Sequence, residues 1–505
     1  MNGVVRSIAG GGSNALVEIE CHTSNSLPNI VIVGSANRAV DEAKERIRGA
    51  FANSNLLLPK KRITINLAPA DMPKTDSSFD LAIAVSILIA GGQVKNSQPD
   101  RIVLGELGLD GSIRPVRGII GRILAARDKG YDSFVIPSAN SAQAQLVPHV
   151  HIETVESLLA YYQAAVSIRP ATTIHTLDGI IASSPTLSHG AENIDDIVGQ
   201  DLAKRALIVA AAGGHNILLN GPPGTGKSML AKALPSLLPS LSQEEMLQVT
   251  HLHSLTSDTY ETPVVDRPFR SPHHSASPAA ILGGGAMLRP GEVSLSHHGI
   301  LFLDEFPEFN RAIIEALRQP LEDHTITIAR VRDHITYPAD FLLVATANPC
   351  PCGYYGSTKP CSCSAHHIAQ YQQRLSGPII DRIDIHAPIQ DIDHKDLLNK
   401  SAASNTTVLA RRQIDHARHM QFIRYSSSKL NSRMTNQDIH THANIKTDAK
   451  TLLDNAAERL QLSARAYMKT IKVARTIADL DDSTPIKQAH IAEALQFRPP
   501  KHQLT

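Results

Sequence analysis

Gly221-Pro222-Pro223-Gly224-Thr225-Gly226-Lys227-Ser228 decides how the rest of the chain is read. It follows an apolar run at 216–219 and opens a stretch of helical periodicity. Glycines let a backbone wrap closely around an anion and turn its N–H groups toward it, at the start of a helix whose dipole favours negative charge. In this pattern Lys227 reaches the β and γ phosphates of ATP, and the Ser228 hydroxyl ligates Mg²⁺. A simple Gly/Pro turn before a helix does not call for all eight positions.

Outward from the loop, Ile300-Leu301-Phe302-Leu303-Asp304-Glu305 is an apolar run ending in two carboxylates. Strands of a parallel sheet are buried on both faces and therefore apolar throughout, and their C-terminal ends face the ligand crevice. Asp304 is expected to hold Mg²⁺ through water and Glu305 to orient or polarise the attacking water. A third run, 341–347, ends at Asn348, which resembles the sensor-1 position of AAA+ proteins. Further on, Arg374 and Arg382 lie in Gln373-Arg374-Leu375-Ser376-Gly377-Pro378-Ile379-Ile380-Asp381-Arg382-Ile383-Asp384. Arg382 is the candidate arginine finger, supplying positive charge to the γ-phosphate of a neighbouring subunit. A surface salt bridge with Asp381 or Asp384 is the plainer use of that guanidinium. Ser463-Ala464-Arg465 opens a helix with Ser463 as N-cap. A cation in a first turn opposes the helix dipole, so Arg465 reads either as a sensor-2 contact to phosphate or as a solvated arginine.

The 505 residues around this core suggest about three domains. Residues 1–169 alternate β-branched runs (31–33, 63–66, 101–104, 133–136) with helical stretches (38–53, 78–90, 119–129), an α/β or α+β domain of its own. Residues 170–192 carry no periodicity and read as a linker. The nucleotide-binding α/β core spans 193–390, and 391–505 reads as an all-helical lid, with apolar positions at helical spacing through 396–424, 448–460, 463–478 and 487–496.

Lys+Arg 49 against Asp+Glu 48 leaves a charge of +1, so the molecule as a whole does not attract nucleic acid or an anionic membrane, and any DNA contact rests on local patches. Aromatics at 4% without tryptophan argue against base stacking as the main mode. The longest apolar run, 81–90, is far short of the roughly 18 residues of a membrane span, and the start lacks the charged and apolar regions of a secretory signal. The expectation is a soluble cytoplasmic protein with no membrane partner.

With these parts in order the chain resembles the magnesium-chelatase-like AAA+ proteins, and within them the bacterial ComM (YifB) family. The resemblance covers essentially the whole chain. It rests on the nucleotide motifs together with Asn66-Leu67-Ala68-Pro69-Ala70-Asp71, Arg267-Pro268-Phe269-Arg270-Ser271-Pro272-His273-His274, Pro290-Gly291-Glu292-Val293-Ser294-Leu295-Ser296-His297 and Asn348-Pro349-Cys350-Pro351-Cys352-Gly353. It implies a homo-hexameric, ATP-driven motor that migrates branched DNA and assists integration of incoming single strands in natural transformation, with the recombinase machinery as a further partner class. About 75 residues separate Ser228 from Asp304, room for an extra element, since most connections are only a few residues. The resemblance makes it a helix-2 insert lining the ring's pore, with Gly283-Gly284-Gly285 and Arg289 as a flexible charged loop. Residues 325–337 alternate around a basic turn and read as a β-hairpin presenting Arg330 and Arg332. In the family's architecture this is the presensor-1 hairpin touching DNA phosphates; an ordinary exposed hairpin is the alternative.

Five cysteines in so long a chain form no disulfide framework, and four of them, Cys350, Cys352, Cys361 and Cys363, crowd into one loop. Four thiolates suit a closed structural Zn²⁺ site, although C-x-C is tighter than the usual spacing; inert thiols are the alternative, His366 or His367 could replace one ligand, and Cys21 is unrelated. The N-terminal domain looks like the Lon-protease-type fold, on 73–80 and on 105–111 with the stretch after it. Laying that family's Ser-Lys dyad on the chain puts Ser78 at the serine but Ile120 at the lysine, which leaves the hydroxyl without its base. Two other motor classes share the nucleotide motifs: a chelatase-type subunit of tetrapyrrole synthesis and a chaperone that remodels protein complexes.

Overall fold

The computed structural model describes residues 2–10, 14–34, 38–70, 77–167, 172–176, 192–256, 262–285, 288–329, 334–375, 377–391 and 406–499. The chain divides into two compact units: Met1–Ser183 with Ser242–Val265 and Ala286–Arg289, and the remainder.

In the first unit eight strands, β1 (Asn2–Ile8), β2 (Leu16–Ser24), β3 (Asn29–Val33), β4 (Arg62–Ala68), β5 (Ile102–Val103), β6 (Ser133–Pro137), β7 (Val150–Val155) and β8 (Thr172–Thr176), form a mixed sheet in the order β8-β7-β6-β5-β1-β2-β4-β3. Helices α1 (Arg38–Asn53), α2 (Asp80–Ala90) and α3 (Ile119–Arg127) accompany it. The apolar run 81–90 is α2, buried at every position of the helix but Ile89. A helix apolar all round belongs in a core, and its length is that of a core helix.

β8 falls in the stretch expected to be a linker. It pairs antiparallel with β7 from Thr172↔Thr154 to Thr176↔Val150. Thr-Thr-Ile-His-Thr gives no apolar alternation, but an edge strand is held by its backbone ladder and by β-branched residues that suit the extended chain. The helix Gln243–Ser254, which lies in the stretch assigned to the insert, is also part of this first unit. It opens on a capping box of Ser242 and Glu245. Its His251 lies so close to Gly121 of α3 that a Cβ there would come within 2.3 Å of the ring.

The second unit holds strands β9 (Ile217–Asn220), β10 (Phe269–Arg270), β11 (Ile300–Leu303), β12 (Thr325–Ala329), β13 (His334–Pro338), β14 (Leu342–Ala347) and β15 (Ile385–Pro388). Five of them form a wholly parallel sheet, β10-β11-β14-β9-β15. β12 and β13 pair antiparallel as a separate hairpin, from Thr325↔Pro338 to Ala329↔His334. The helices that matter below are α4 (Asp201–Gly213), α5 (Lys227–Ala233), α6 (Arg318–Asp323), α7 (Ala365–Gln373), α8 (Thr406–Tyr425), α9 (Thr447–Leu460), α10 (Ala464–Leu480) and α11 (Gln488–Gln496).

Because side chains alternate across a strand, the parallel sheet feeds two cores. Ile217, Leu219, Ile300, Phe302, Leu342 and Val344 pack with α4 and with Ile414, Ile471, Ala474, Ile477 and Ile491 of the C-terminal helices. Leu218, Leu301, Leu303, Leu343 and Ala345 pack on the other face with Ile281, Phe306, Ile313 and Ile326. The helical region read as a lid therefore shares its core with one face of the sheet. No helix of the described residues is long and apolar enough to cross a membrane.

Candidate functional site

The phosphate loop starts where β9 ends. Gly221 N–H donates to Ala347 O at 3.2 Å, and a Cβ on Gly221 would meet Ile389 O at 2.4 Å, so the loop's entry is wedged between neighbours. Gly224 and Gly226 have φ +80 and +86 with open space where a Cβ would stand; glycine is needed there for conformation, not for room. Gly226 caps α5, and Lys227 is its first residue. Lys227 Nζ donates to Gly221 O at 2.7 Å, to Pro222 O at 2.6 Å and to Asn348 Oδ1 at 3.1 Å. Burial pushes the Lys227 pKa down, against the charges of Asp304 and Glu305, which hold it up.

The carboxylates that end β11 sit beside the loop. Ser228 Oγ donates to Asp304 Oδ2 at 3.1 Å. Thr346 Oγ1 donates to Asp304 Oδ1 at 2.6 Å and accepts the Glu305 N–H at 2.9 Å. A hydroxyl and a carboxylate side by side are oxygen donors that suit Mg²⁺, which takes few protein ligands and keeps its waters. Glu305 has φ +51, a left-handed conformation unusual for a side-chain-bearing residue. Its side chain is 56% exposed, and His274 Nδ1 lies 4.0 Å from Oε2. Lys227, Ser228, Asp304 and Asn348 thus form one bonded cluster, with Glu305 anchored to it through its backbone.

Arg382 and Arg465 form a second group. Arg382 Nη2 lies 2.7 Å and Arg465 Nη2 2.6 Å from the same oxygen, Glu322 Oε1 of α6. The acid beside Arg382 is therefore Glu322, and neither Asp381 nor Asp384 is its partner among the described residues. Asp384 is buried instead between Lys469 Nζ at 2.7 Å and His215 Nδ1 at 3.3 Å. Ser463 Oγ accepts the Ala466 N–H at 3.2 Å, capping the helix that carries Arg465.

The four cysteines converge although they span a loop of fourteen positions. Cys350, Cys352 and Cys361 have Sγ–Sγ distances of 3.3, 3.7 and 3.5 Å, and all four Sγ atoms lie within 4.8 Å of one another. A tetrahedron with Zn–S of about 2.3 Å puts its sulfurs roughly 3.8 Å apart, so the donor set fits a Cys₄ zinc. His366 and His367, exposed on α7, are outside this group, and Cys21 is buried in the first unit. Gly353, with φ +86, presses on the phosphate loop: a Cβ there would come 2.6 Å from Pro223 Cδ.

Of the expected DNA-contacting residues, Arg289 is exposed on the two-residue strand Arg289–Pro290, whereas Arg330 and Arg332 lie outside the described residues. Of the glycines before Arg289, Gly285 (φ +80) has open space where a Cβ would stand, whereas Gly283 is closely packed. Gly283–Gly284 is a short strand, and a Cβ on Gly291 would meet Gly283 N at 2.3 Å. In the first unit, Ser78 Oγ accepts from Arg122 Nη1 at 2.6 Å. Arginine stays protonated and supplies no base, and Ile120 is wholly buried.

Sequence reasoning missed Thr346, Glu322 and His215. A hydroxyl in an otherwise apolar buried strand was a readable sign for Thr346; nothing in the local pattern marks the other two.

A parallel sheet with a phosphate loop after one strand, paired acids after the next but one and a helical region on one face defines a Mg-chelatase-like AAA+ protein. Family models described as "Magnesium chelatase, subunit ChlI", "Subunit ChlI of Mg-chelatase" and "Magnesium chelatase, subunit ChlI C-terminal" match residues 193–397, 19–140 and 404–498. The chain is 40% identical over 500 residues to competence protein ComM of Haemophilus influenzae, covering 98% of this chain and 97% of that one. It is 38% identical over 505 residues to YifB of Escherichia coli, covering 98% and 96%. The match to the magnesium-chelatase 38 kDa subunit of Cereibacter sphaeroides is 30% over 171 residues, 30% of this chain and 51% of that one. The chain belongs to the ComM/YifB family.

Proposed function

We propose that this protein is an ATPase that works as a ring of six copies and drives branch migration of recombination intermediates, promoting integration of incoming single-stranded DNA in natural transformation. The observation that carries this reading is the full-length similarity to a competence protein, joined to a bonded cluster of Lys227, Ser228, Asp304 and Asn348 suited to a nucleotide.

In this reading Lys227 exchanges its carbonyl bonds for the β and γ phosphates, whose oxygens are better acceptors for an ammonium. Ser228 and Asp304 hold Mg²⁺, which supplies charge neutralisation of the phosphates when bound. Glu305 orients water toward the γ-phosphate, and Asn348 keeps Lys227 in line. Arg382 and Arg465, side by side on Glu322, bring positive charge to the γ-phosphate held by a neighbouring copy. Cys350, Cys352, Cys361 and Cys363 hold a structural zinc. Arg289, Arg330 and Arg332 touch DNA phosphates.

Purified protein given ATP and a labelled four-way junction should separate the junction, with hydrolysis stimulated by branched DNA. Lys227→Ala should lose nucleotide binding, and Glu305→Gln should bind without hydrolysing. Hydrolysis that leaves the junction intact, or that responds to a polypeptide and ignores DNA, would assign the motor to the chelatase-type or protein-remodelling class instead.

A further inference from the structure

Two guanidinium groups on a single carboxylate oxygen are an unusual use of charge. Each arginine carries five N–H donors, yet among the described residues the Arg465 side chain bonds only Glu322, and the Arg382 side chain only Glu322 and Pro378 O, at 2.5 Å. The Arg382 side chain is 12% exposed, and its Nε–H is buried with no hydrogen-bond partner among the described residues. Such an excess of donors fits an anion with three oxygens better than one shared oxygen of a glutamate.

The two arginines are also held in place without Glu322. Two residues beyond Arg382, buried Asp384 bonds Lys469 Nζ at 2.7 Å, and Lys469 lies one helical turn after Arg465 on α10. Asp384 is fastened further by the Asn216 carbonyl on its N–H, at 3.0 Å, and by Arg498 Nη2 on its carbonyl, at 2.8 Å. A buried ion pair of this kind fixes spacing, because separating it would strand a charge away from water. Glu322 by contrast is 44% exposed on a short helix, and an exposed ion pair is weak.

We propose that Glu322 is a latch: it occupies the two-arginine anion site of Arg382 and Arg465 and competes with the terminal phosphate of a nucleoside triphosphate carried by a second copy of the chain. This rests on the reading of Arg382 and Arg465 as phosphate-contacting residues. A ring then closes on ATP only where the incoming γ-phosphate, with its greater charge and three acceptors, outbids a single carboxylate.

The test uses full-length protein and compares wild type with Glu322→Gln, Glu322→Asp and, as a surface control, Glu315→Gln. ATP hydrolysis is followed against protein concentration, and assembly with a non-hydrolysable ATP analogue is followed by sedimentation. Glu322→Gln should lower the protein concentration for half-maximal hydrolysis and for assembly by about two- to fivefold, the weight of one exposed ion pair. Glu322→Asp should fall between, Glu315→Gln should match wild type, and adding Arg382→Ala to Glu322→Gln should abolish the gain. Unchanged or weaker assembly in Glu322→Gln, with wild-type hydrolysis intact, overturns the latch alone. Wild type that hydrolyses no more ATP than Lys227→Ala removes both the latch and the ATPase reading.

Discussion

Thr346 is bonded on both sides: it donates to Asp304 Oδ1 and accepts the backbone N–H of Glu305. One hydroxyl thus sets the direction of one acid and the backbone of the next. Thr346→Val keeps the shape but leaves a part-buried carboxylate oxygen short of a donor, a cost of about 1–3 kcal/mol. We expect it to lower ATP turnover by about tenfold or more while sparing nucleotide binding, since Lys227 is untouched. Turnover within twofold of wild type at saturating Mg²⁺ would show that Thr346 is only packing. The residue scale is also where the sequence was least complete. Motifs announce residues whose chemistry is intrinsic, such as Lys227 and Asp304. They do not announce a residue such as Glu322, defined by guanidinium groups 60 and 143 positions away.

Elements were more legible. The apolar runs at 216–219, 300–303 and 341–347 are strands of one parallel sheet, and the helical periodicities at 38–53, 448–460, 463–478 and 487–496 are helices whose bounds differ by at most two residues. β8 was not legible, because an edge strand of threonines is stabilised by backbone bonds that leave no apolar signature. The hairpin of β12 and β13 was, since alternation is the pattern a two-stranded ribbon writes. If its turn meets DNA phosphates, Arg330→Ala should weaken binding uniformly across sequences and reduce the slope of log affinity against log salt by about one. Binding curves from 50 to 200 mM salt, overlaying those of wild type, would remove the hairpin from the interface.

For the whole molecule, buried histidines set the acid limit. Burial pushes the His251 pKa to about 4; at His297 burial, reinforced by His298, Arg433 and His324, pushes it to about 3; and at His386 burial with Arg498 and Lys469 does the same, to about 3. Each group binds its proton less tightly folded than unfolded, where the ordinary value is 6.5. The stability tied to its neutrality is present in full above 6.5 and drains as pH falls toward 3 to 4. Asp80 runs the other way: burial lifts its carboxyl from 3.8 to about 6 despite Arg46, so that contribution is lost as pH rises through 6. His324, pushed to about 4 by burial and then by Arg433, adds to the same side as the other histidines. Four histidines thus outweigh one acid, and thermal midpoints should fall between pH 7 and 5, with a flatter slope in His297→Asn. A midpoint that rises on acidification would contradict this balance.

Gly353 lies against Pro223 with no space for a methyl group between them. Where two binding sites share a wall, thermodynamics makes their influence mutual: whatever factor a filled cysteine knuckle adds to nucleotide affinity, nucleotide must return to metal retention. If the four cysteines hold zinc and the loop holds nucleotide, ADP should raise the zinc affinity, read at equilibrium by competition with a chelating dye, by the same factor by which zinc raises the affinity for ADP. An identical zinc affinity with and without ADP would make the knuckle a bystander. Otherwise the loop that holds phosphate and the loop that gathers thiols answer to one equilibrium, and each ligand reports on the occupancy of the other.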